Sequence, residues 1–316
     1  MRAVEFSEYG PPGVLRIADV EEPRPGPGTI RVAVRTSGVS TGEVLIRSGG
    51  LPDGIPGVFP WRTGFAAAGV VDELGEGVTG VRVGDEVFGW TSTAVRGANA
   101  DRTVLTAWAP KPPTWSWAEA GGAAGSVETA TRVLDRLGVA AGHTVVIHGA
   151  AGGVGAVAVQ MAVARGATVI GTASERNHAF LRSFGVLPTT YGPGLVERVR
   201  ELAPGGVDAV FDCAGGALPD LIAVAGDPAL VVTIADFNAP AYGVHLSHGA
   251  PTQDTGGVSV PGADPMAVHA LDLAVRLAAE GRLRVPVAAT FPLTDVAAAH
   301  ELSESRHARG LIVLVH

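Results

Sequence analysis

The first third of the chain alternates apolar and polar residues in short segments. In TIRVAVRT, Ile30, Val32 and Val34 alternate with two arginines and an alanine, which is the period of a half-buried strand. FAAAGVVDELG follows after turn-rich residues. Several short strands at this spacing predict a small barrel-like domain.

From about Ser116 the pattern changes to alternating helical and strand-like segments. Ser116 and Glu119 have the spacing of a capping box, and the helix that they begin is predicted to end at Gly138. Segments such as TVVIHG and TVIGTAS are apolar without polar alternation, and helical segments separate them. This order predicts a parallel sheet that helices cover on both faces.

A last section begins at Asp264 and Pro265, which read as an N-cap followed by proline at the first helical position. Its helix is expected to run to about Gly281. Strand, helix and strand then follow towards the closing segment GLIVLV.

The charge balance limits the classes of binding partner. The 316 residues contain 23 Lys and Arg and 31 Asp and Glu, a net charge of −8, without a basic cluster. Nucleic acid and anionic membrane surfaces are therefore poor candidate partners, and a small-molecule substrate is expected. Glu5 and Glu8 interrupt the first residues, which do not read as a signal peptide. With Cys213 as the single cysteine, an internal disulfide is excluded and a cytoplasmic location is expected.

The segment HGAAGGVG, directly after TVVI, is the most informative motif. It places Gly149, Gly152 and Gly155 three residues apart, within a strand–turn–helix–strand unit. Glycine lets the backbone turn tightly, approach a pyrophosphate, and pack the following helix closely on the strand. A plain turn is the alternative, but this context predicts a phosphate-binding turn. The same glycines argue against a membrane helix from Thr144 to Ala164.

With HGAAGGVG, GEGVTGVRVGDEVFG and the closing FPLTDVAAAHELSESRHARGLIVLV, the chain resembles the medium-chain dehydrogenase/reductase superfamily, in its zinc-free quinone oxidoreductase (zeta-crystallin-like) branch. The resemblance implies an α/β protein with a GroES-like, β-rich catalytic domain from residues 1–118 and 263–316. It also implies a Rossmann domain, a doubly wound parallel sheet, from residues 119–262. NADPH is expected in the cleft between them, and a homodimer is the family tendency.

The resemblance also bears on zinc. Zinc-dependent members carry a cysteine near the position of Ser40 and Gly-His-Glu where this chain has Gly64, Phe65 and Ala66. These side chains do not supply zinc ligands. His245, His248 and Asp254 lie near one another in sequence but read as a polar loop. No metal is expected.

The choice of nicotinamide depends on the end of the second Rossmann strand. Enzymes that use NAD place an acidic residue there to bind the ribose hydroxyl, and this chain has Ala173, which leaves room for a 2′-phosphate. Glu175 has the opposite implication, since its carboxylate would repel a phosphate or bind a hydroxyl. We expect NADPH, held at this end by Ser174, Arg176, His178 and Tyr191.

Further cofactor contacts follow from the resemblance. The phosphate turn contributes Gly149, Ala150, Gly152, Gly153, Val154 and Gly155. Thr129 is expected near the nicotinamide, with Cys213 and Ala214 after the fourth strand and Ile234 and Ala235 after the fifth. Cys213 has no basic neighbour in sequence and is expected to be a small buried hydrophobic residue.

The substrate end departs from the family. Where relatives have asparagine, an acidic residue and often tyrosine, this chain has Ser40, Glu43 and Leu45, so the tyrosine that donates a proton in many enoyl reductases is missing. Ser40 and Glu43 are the candidate catalytic residues, and Arg47 is a candidate for attracting an anionic group. Strand-end capping and a surface cation are the alternatives for Ser40 and Arg47.

These observations favour a zinc-independent, NADPH-dependent oxidoreductase that transfers hydride to a quinone or a conjugated carbonyl, chemistry that needs mainly proximity and orientation. Two alternatives stay open. One is a biosynthetic enoyl or keto reductase with a non-tyrosine proton donor, and the other is a non-catalytic NADPH-binding scaffold.

Overall fold

The computed structural model describes residues 1–50, 59–91, 97–248 and 263–316. The first third of the chain consists mainly of short strands, with one α-helix, α1 (Thr41–Arg47), among them. The strands are β1 (Arg2–Phe6), β2 (Arg16–Asp19), β3 (Ile30–Val39), β4 (Trp61–Arg62), β5 (Ala66–Leu74), β6 (Glu86–Trp90), β7 (Arg102–Leu105) and β8 (Ala107–Pro110).

Strands and helices alternate in the middle of the chain. Its helices are α2 (Trp117–Arg136), α3 (Gly153–Ala164), α4 (His178–Arg182), α5 (Leu195–Leu202) and α6 (Leu218–Ala225). Its strands are β9 (Thr144–His148), β10 (Thr168–Thr172), β11 (Leu187–Thr189), β12 (Ala209–Asp212), β13 (Val231–Thr233) and β14 (His245–Leu246). The last section contains α7 (Ala270–Ala279), β15 (Val287–Pro292), α8 (Val296–Glu304) and β16 (Leu311–Val315).

The middle strands form one six-stranded parallel sheet, in the order β11-β10-β9-β12-β13-β14. Successive residues of β9 face opposite sides of it. Val145 and Ile147 pack into the core that contains α2 and α3, and Val146 packs with Leu195 of α5 and Leu221 of α6. The apolar strands are therefore buried on both faces, as their lack of polar alternation predicts.

The two ends of the chain share a second sheet of seven strands. Its order is β15-β16-β3-β5-β6-β8, with β7 also paired to β3. β16 pairs antiparallel with β3, with Ile312 opposite Val39. β2, β1 and β4 form a separate small antiparallel sheet. This arrangement confirms the predicted fold class, a GroES-like β-rich part beside a Rossmann-type sheet, whereas the exact domain boundaries stay a prediction.

Local signals at two helix starts had different outcomes. The capping box at Ser116 and Glu119 is formed and begins α2, as predicted. The helix expected from Asp264 is wrong at its start, because α7 begins only at Ala270. The Asp264 carboxylate instead accepts hydrogen bonds from Arg136 and Ser247. These long-range partners outcompete a local cap.

The apolar segment that includes the glycine turn is a strand followed by a short helix. Within the four described ranges no helix is long and apolar enough to cross a bilayer, and α3 has only 12 residues.

Candidate functional site

The glycine turn joins the carboxyl end of β9 to α3. A Cβ on Gly155 would lie 2.3 Å from the carbonyl oxygen of Gly149, a distance that excludes any side chain. A Cβ on Gly152 would meet only that same oxygen, at 3.4 Å, and would otherwise project into open space. Gly155 thus allows α3 to lie against the turn, and Gly152 leaves the space in front of it free.

Helix α3 begins at this turn without a side-chain cap. Its first hydrogen bond within the helix runs from the N–H of Ala156 to the carbonyl of Gly152 (2.9 Å). The preceding N–H groups, including those of Gly153 and Val154, point out of the N-terminus, where the helix dipole favours an anion. The turn therefore fits a pyrophosphate both sterically and electrostatically.

Two buried polar residues that the sequence analysis missed hold the turn. Thr172, at the end of β10, accepts a hydrogen bond from the N–H of Gly149 (3.1 Å). Its hydroxyl also contacts Nδ1 of His148 at 2.8 Å. Burial lowers the pKa of His148, against the opposing effect of Asp212. The signal in the sequence was a polar residue at the end of each of two apolar strands.

Asp212, at the carboxyl end of β12, is a third buried residue that the sequence analysis missed. It fixes the loops at the carboxyl edge of the parallel sheet, beside the glycine turn. Its carboxylate accepts hydrogen bonds from the N–H groups of Ala214 (3.0 Å) and Gly215 (2.9 Å) and from the hydroxyl of Thr233 (2.7 Å). Thr233 in turn accepts one from the N–H of Ala235 (3.1 Å). The loops after β12 and β13 are thereby fixed to each other.

These loops adjoin the glycine turn. A Cβ on Gly149 would lie 2.9 Å from the Cβ of Ala214. Ile234 packs against the same core as Cys213. Burial, and secondarily the charge of Asp212, raise the pKa of the Cys213 thiol, which keeps it protonated and unsuited to nucleophilic chemistry. The structure thus brings the predicted contacts after the fourth and fifth strands together with the glycine turn.

The residues expected around the adenine ribose follow β10. Ala173 is buried and Ser174 is half-buried at the start of a short 3-10 helix, whose Glu175 and Arg176 are exposed. Within the described ranges, Arg176 has no ion pair. Nε2 of His178 lies 3.3 Å from the carbonyl oxygen of Ala173.

Tyr191 lies beyond β11, and 58% of its surface is exposed. The side chains of opposite charge that follow β10, those of Glu175 and Arg176, both point to solvent. An arginine here favours a 2′-phosphate and a glutamate favours a ribose hydroxyl, so the two side chains favour opposite cofactors.

Thr129 is half-buried on α2 beside a network of buried charges that sequence reasoning did not identify. Arg132 and Glu128, one helical turn apart, pair at 2.8 Å. Arg132 also bonds Ser247, whose hydroxyl donates to Asp264 (2.5 Å). This network fixes α2, and with it Thr129, to the segment that follows β14. The i, i+4 spacing of Glu128 and Arg132 was the available signal.

A second polar cluster lies where β3 meets α1. Ser40 is exposed and caps α1 by accepting a hydrogen bond from the N–H of Glu43 (3.2 Å). The carboxyl group of Glu43 is 3% exposed and accepts a hydrogen bond from Nδ2 of Asn99 (3.3 Å), which also bonds Thr63 (2.8 Å). The N–H of Phe65 is a further donor to Glu43.

Burial raises the pKa of Glu43 from 4.5 to about 8, and the hydrogen bonds from Asn99, Phe65 and Ser40 only reduce that rise. At neutral pH Glu43 is therefore mainly a neutral acid. Asn99 was missed in the sequence analysis because it lies 56 residues away. This cluster also unites Ser40 with Phe65, the positions where zinc-dependent relatives carry ligands.

Arg47 lies behind this cluster, away from solvent. Its side chain is 0% exposed, and its guanidinium donates to the carbonyl of Gly10 (2.5 Å) and pairs with Glu304 of α8. Burial and the charge of Arg47 lower the pKa of nearby His300 to about 4. This position does not suit capture of an anionic substrate.

The residues considered for metal are dispersed. In the part of the chain that the structure describes, no three His, Cys, Asp or Glu side chains form a group that could hold an ion. His245 pairs with Asp264 through Nε2 (3.0 Å), and Nδ1 of His248 contacts the carbonyl of Leu246 (3.4 Å). Asp254 lies outside the described residues.

Two family models match this chain. The alcohol dehydrogenase GroES-like domain matches residues 26–192, and a model described as zinc-binding dehydrogenase matches residues 188–314.

Relatives of known sequence include the quinone oxidoreductase of Rattus norvegicus, 34% identical over 181 residues. These cover 55% of this chain and 53% of that protein. The spectinabilin polyketide synthase system protein NorB of Streptomyces orinoci is 37% identical over 199 residues, which are 61% of this chain and 9% of that protein. The chain thus spans about half of the rat protein and a small part of the polyketide synthase.

Solved structures match over the whole length. The quinone oxidoreductase of Escherichia coli, in complex with NADPH, has a TM-score of 0.81 at 25% identity and covers 100% of both chains. An NAD-dependent alcohol dehydrogenase has a TM-score of 0.83 at 28% identity, again covering 100% of both chains.

We expect the raised pKa of Glu43 to appear in the pH dependence of stability. Because the folded protein binds this proton more tightly than the unfolded chain, the stabilisation is complete below about pH 4.5 and is lost as the pH rises through about 8. Glu43→Gln should remove on the order of 4 kcal/mol of this pH dependence. Urea unfolding across this window measures it. Glu119→Gln, in the half-buried cap of α2, should keep the wild-type slope, and a wild-type slope in Glu43→Gln would contradict the shift.

Proposed function

Because this chain belongs to the medium-chain dehydrogenase/reductase superfamily, in its quinone oxidoreductase-like branch, we propose that it is a zinc-independent oxidoreductase that uses NADPH to reduce a quinone or a conjugated carbonyl compound. The observation that carries this proposal is the glycine turn, where Gly152 leaves open space before an uncapped helix N-terminus. The similar NADPH-bound quinone oxidoreductase supports the choice of cofactor.

We assign each group of residues at the carboxyl edge of the parallel sheet to one part of the cofactor. The N–H groups of Gly153 and Val154 bind the pyrophosphate, and Gly152 leaves open the space that it needs. Gly149, Ala150 and Gly155 form the turn that presents these groups. Ser174, Arg176, His178 and Tyr191 bind the adenine ribose and its 2′-phosphate. Thr129, Cys213, Ala214, Ile234 and Ala235 enclose the nicotinamide, which supplies a hydride when bound.

A second candidate is a biosynthetic enoyl reductase, which the similarity to a polyketide synthase favours. It shares the cofactor and the hydride step, and its substrate, unlike a quinone, requires a proton at the carbon next to the carbonyl. We also propose a homodimer, on the family tendency, and a cytoplasmic location, on the single cysteine Cys213.

The phosphate role of the turn is tested by Gly152→Val. The added side chain fills the space that the pyrophosphate needs, so NADPH binding measured by calorimetry should be lost while circular dichroism stays nearly unchanged. Gly205→Val is the matched control, because Gly205 is exposed, has equally open space and lies before the amino end of β12. Tight NADPH binding by folded Gly152→Val would refute the role. Normal binding by the wild type without turnover of any quinone or enone would favour a scaffold.

The 2′-phosphate is the basis of the preference for NADPH. A charge-assisted hydrogen bond from arginine contributes about 1.5–3 kcal/mol, so Arg176→Ala should weaken NADPH about 10- to 100-fold and NADH much less. Glu175→Ala removes a like charge and should modestly strengthen NADPH. Dissociation constants of both cofactors for the three proteins measure these effects, and a wild type that prefers NADH would overturn the choice.

Zinc independence rests on Ser40, Phe65 and Ala66, whose side chains offer zinc no thiolate, imidazole or carboxylate. We expect elemental analysis of the purified protein to find no stoichiometric zinc, and quinone reduction to survive prolonged chelation. Loss of activity on chelation, with recovery on adding zinc, would contradict the assignment.

A further inference from the structure

We propose that Glu43 is the proton source for reduction of a conjugated carbonyl and that it delivers the proton to the substrate through the hydroxyl of Ser40. This inference rests on the proposed function. In it, Glu43 and Ser40 together take the role of the proton-donating tyrosine, whose place in this chain is taken by Leu45.

The relay runs from a buried acid to an exposed hydroxyl. Glu43 is 3% exposed, and its Oε1 lies 3.5 Å from Oγ of Ser40. Its other oxygen, Oε2, is occupied by Asn99, which is itself 0% exposed and has no partner in the described residues for Oδ1. Asn99, which also bonds Thr63, therefore holds Oε2 of the carboxyl group, while Oε1 faces Ser40.

Ser40 lies beside the expected cofactor. Val39 pairs with Ile312, and in this antiparallel register the next residue, Ser40, comes level with Leu311. Leu311 packs on the glycine turn, since a Cβ on Gly153 would lie 2.8 Å from its Cδ2. The pairing of β3 with β16 thus brings the end of β3, where Ser40 lies, beside the strand that packs on the turn that we assign to the cofactor.

The surroundings keep the acid protonated. Burial and the hydrogen bonds from Asn99, Phe65 and Ser40 act on the Glu43 carboxyl, and among the residues that the structure describes no charged side chain is a cause of its pKa shift. Arg47, one turn further along α1, directs its guanidinium to Gly10 and to Glu304 of α8. His300, also on α8, is neutral because its pKa is lowered to about 4.

Helix capping alone does not account for this arrangement. Ser116 and Glu119 form the same Ser-x-x-Glu pattern at the start of α2, with the serine hydroxyl 2.8 Å from the carboxylate. Glu119 is only half-buried, and within the described ranges Ser116 bonds its carboxylate and no side-chain amide does. The burial of Glu43 and its contact with Asn99 are therefore additional to the cap.

The chemistry balances with one proton per turnover. When bound, the reduced nicotinamide would supply a hydride to the carbon β to the carbonyl, and the electron pair of the C=C bond would then need a proton at the α carbon. Ser40 donates its hydroxyl proton to the α carbon and takes the proton of Glu43, which is restored from water. A quinone needs this relay less, because its reduced anion is a stable product that takes a proton directly from water.

The test compares an alkyl vinyl ketone with 1,4-benzoquinone. In Glu43→Gln and Ser40→Ala the ratio of enone to quinone kcat should fall about 100-fold, the usual contribution of general acid catalysis. Ser40→Thr, which keeps a hydroxyl, should restore the ratio to within a few-fold, and the control Glu119→Gln should leave it unchanged. In the wild type, kcat for the enone should fall as the pH rises through about 8, and this step should be absent in Glu43→Gln.

Infrared spectroscopy provides a readout without cofactor or substrate. The wild type should show the C=O stretch of a protonated carboxyl group near neutral pH, absent from Glu43→Gln. If Glu43→Gln does not fold, the pair Ser40→Ala and Ser40→Thr decides. Equal loss of both activities, an unchanged ratio or the absence of the infrared band would overturn the relay while leaving quinone reduction intact as a function. A wild type that binds NADPH but reduces neither acceptor would instead refute the proposed function.

Discussion

The close approach of α3 to the turn before it is the constraint on which the rest of the structure depends. Gly155 lies so near the carbonyl of Gly149 that no Cβ fits, and this contact directs the helix N-terminus to the edge of the parallel sheet. The same turn also contacts the seven-stranded sheet, because the N–H of Gly310, just before β16, donates to the carbonyl of Ala151 (3.0 Å). Since β16 follows Gly310 and pairs with β3, the turn also sets the position of Ser40.

The buried ionisable side chains avoid the cost of desolvation in two ways. Arg132 is paired with Glu128, and Arg47 with Glu304, so each cation keeps a partner that offsets its desolvation. Glu43 has only neutral donors, and its carboxyl group avoids the cost of burial by remaining protonated. Paired cations serve to fix elements to each other, whereas a neutral buried acid retains a proton that it is able to give away.

Local patterns predicted a large part of the molecule. The apolar strands around HGAAGGVG were buried on both faces, because strands without polar alternation are stable only when both faces are covered. The capping box at Ser116 formed because its two residues lie within one helical turn. Asp264 shows the limit of the same reasoning. It has the local signature of an N-cap, but Ser247 and Arg136 bind its carboxylate from distant segments, and a helix cap cannot compete with two such partners.

The sequence by itself determined the parallel sheet, the glycine turn and the absence of ligand side chains at Ser40, Phe65 and Ala66, since these follow from residue type and spacing. The tertiary structure alone decided the environments of the polar side chains. Arg47 was a candidate for attracting an anionic group, with a surface cation as the alternative, and it is fully buried. Glu43 was a candidate catalytic residue, but its protonated state follows only from its burial in the fold. Burial and long-range contacts set the charge state of such groups, and neither is written in the residues adjacent in the chain.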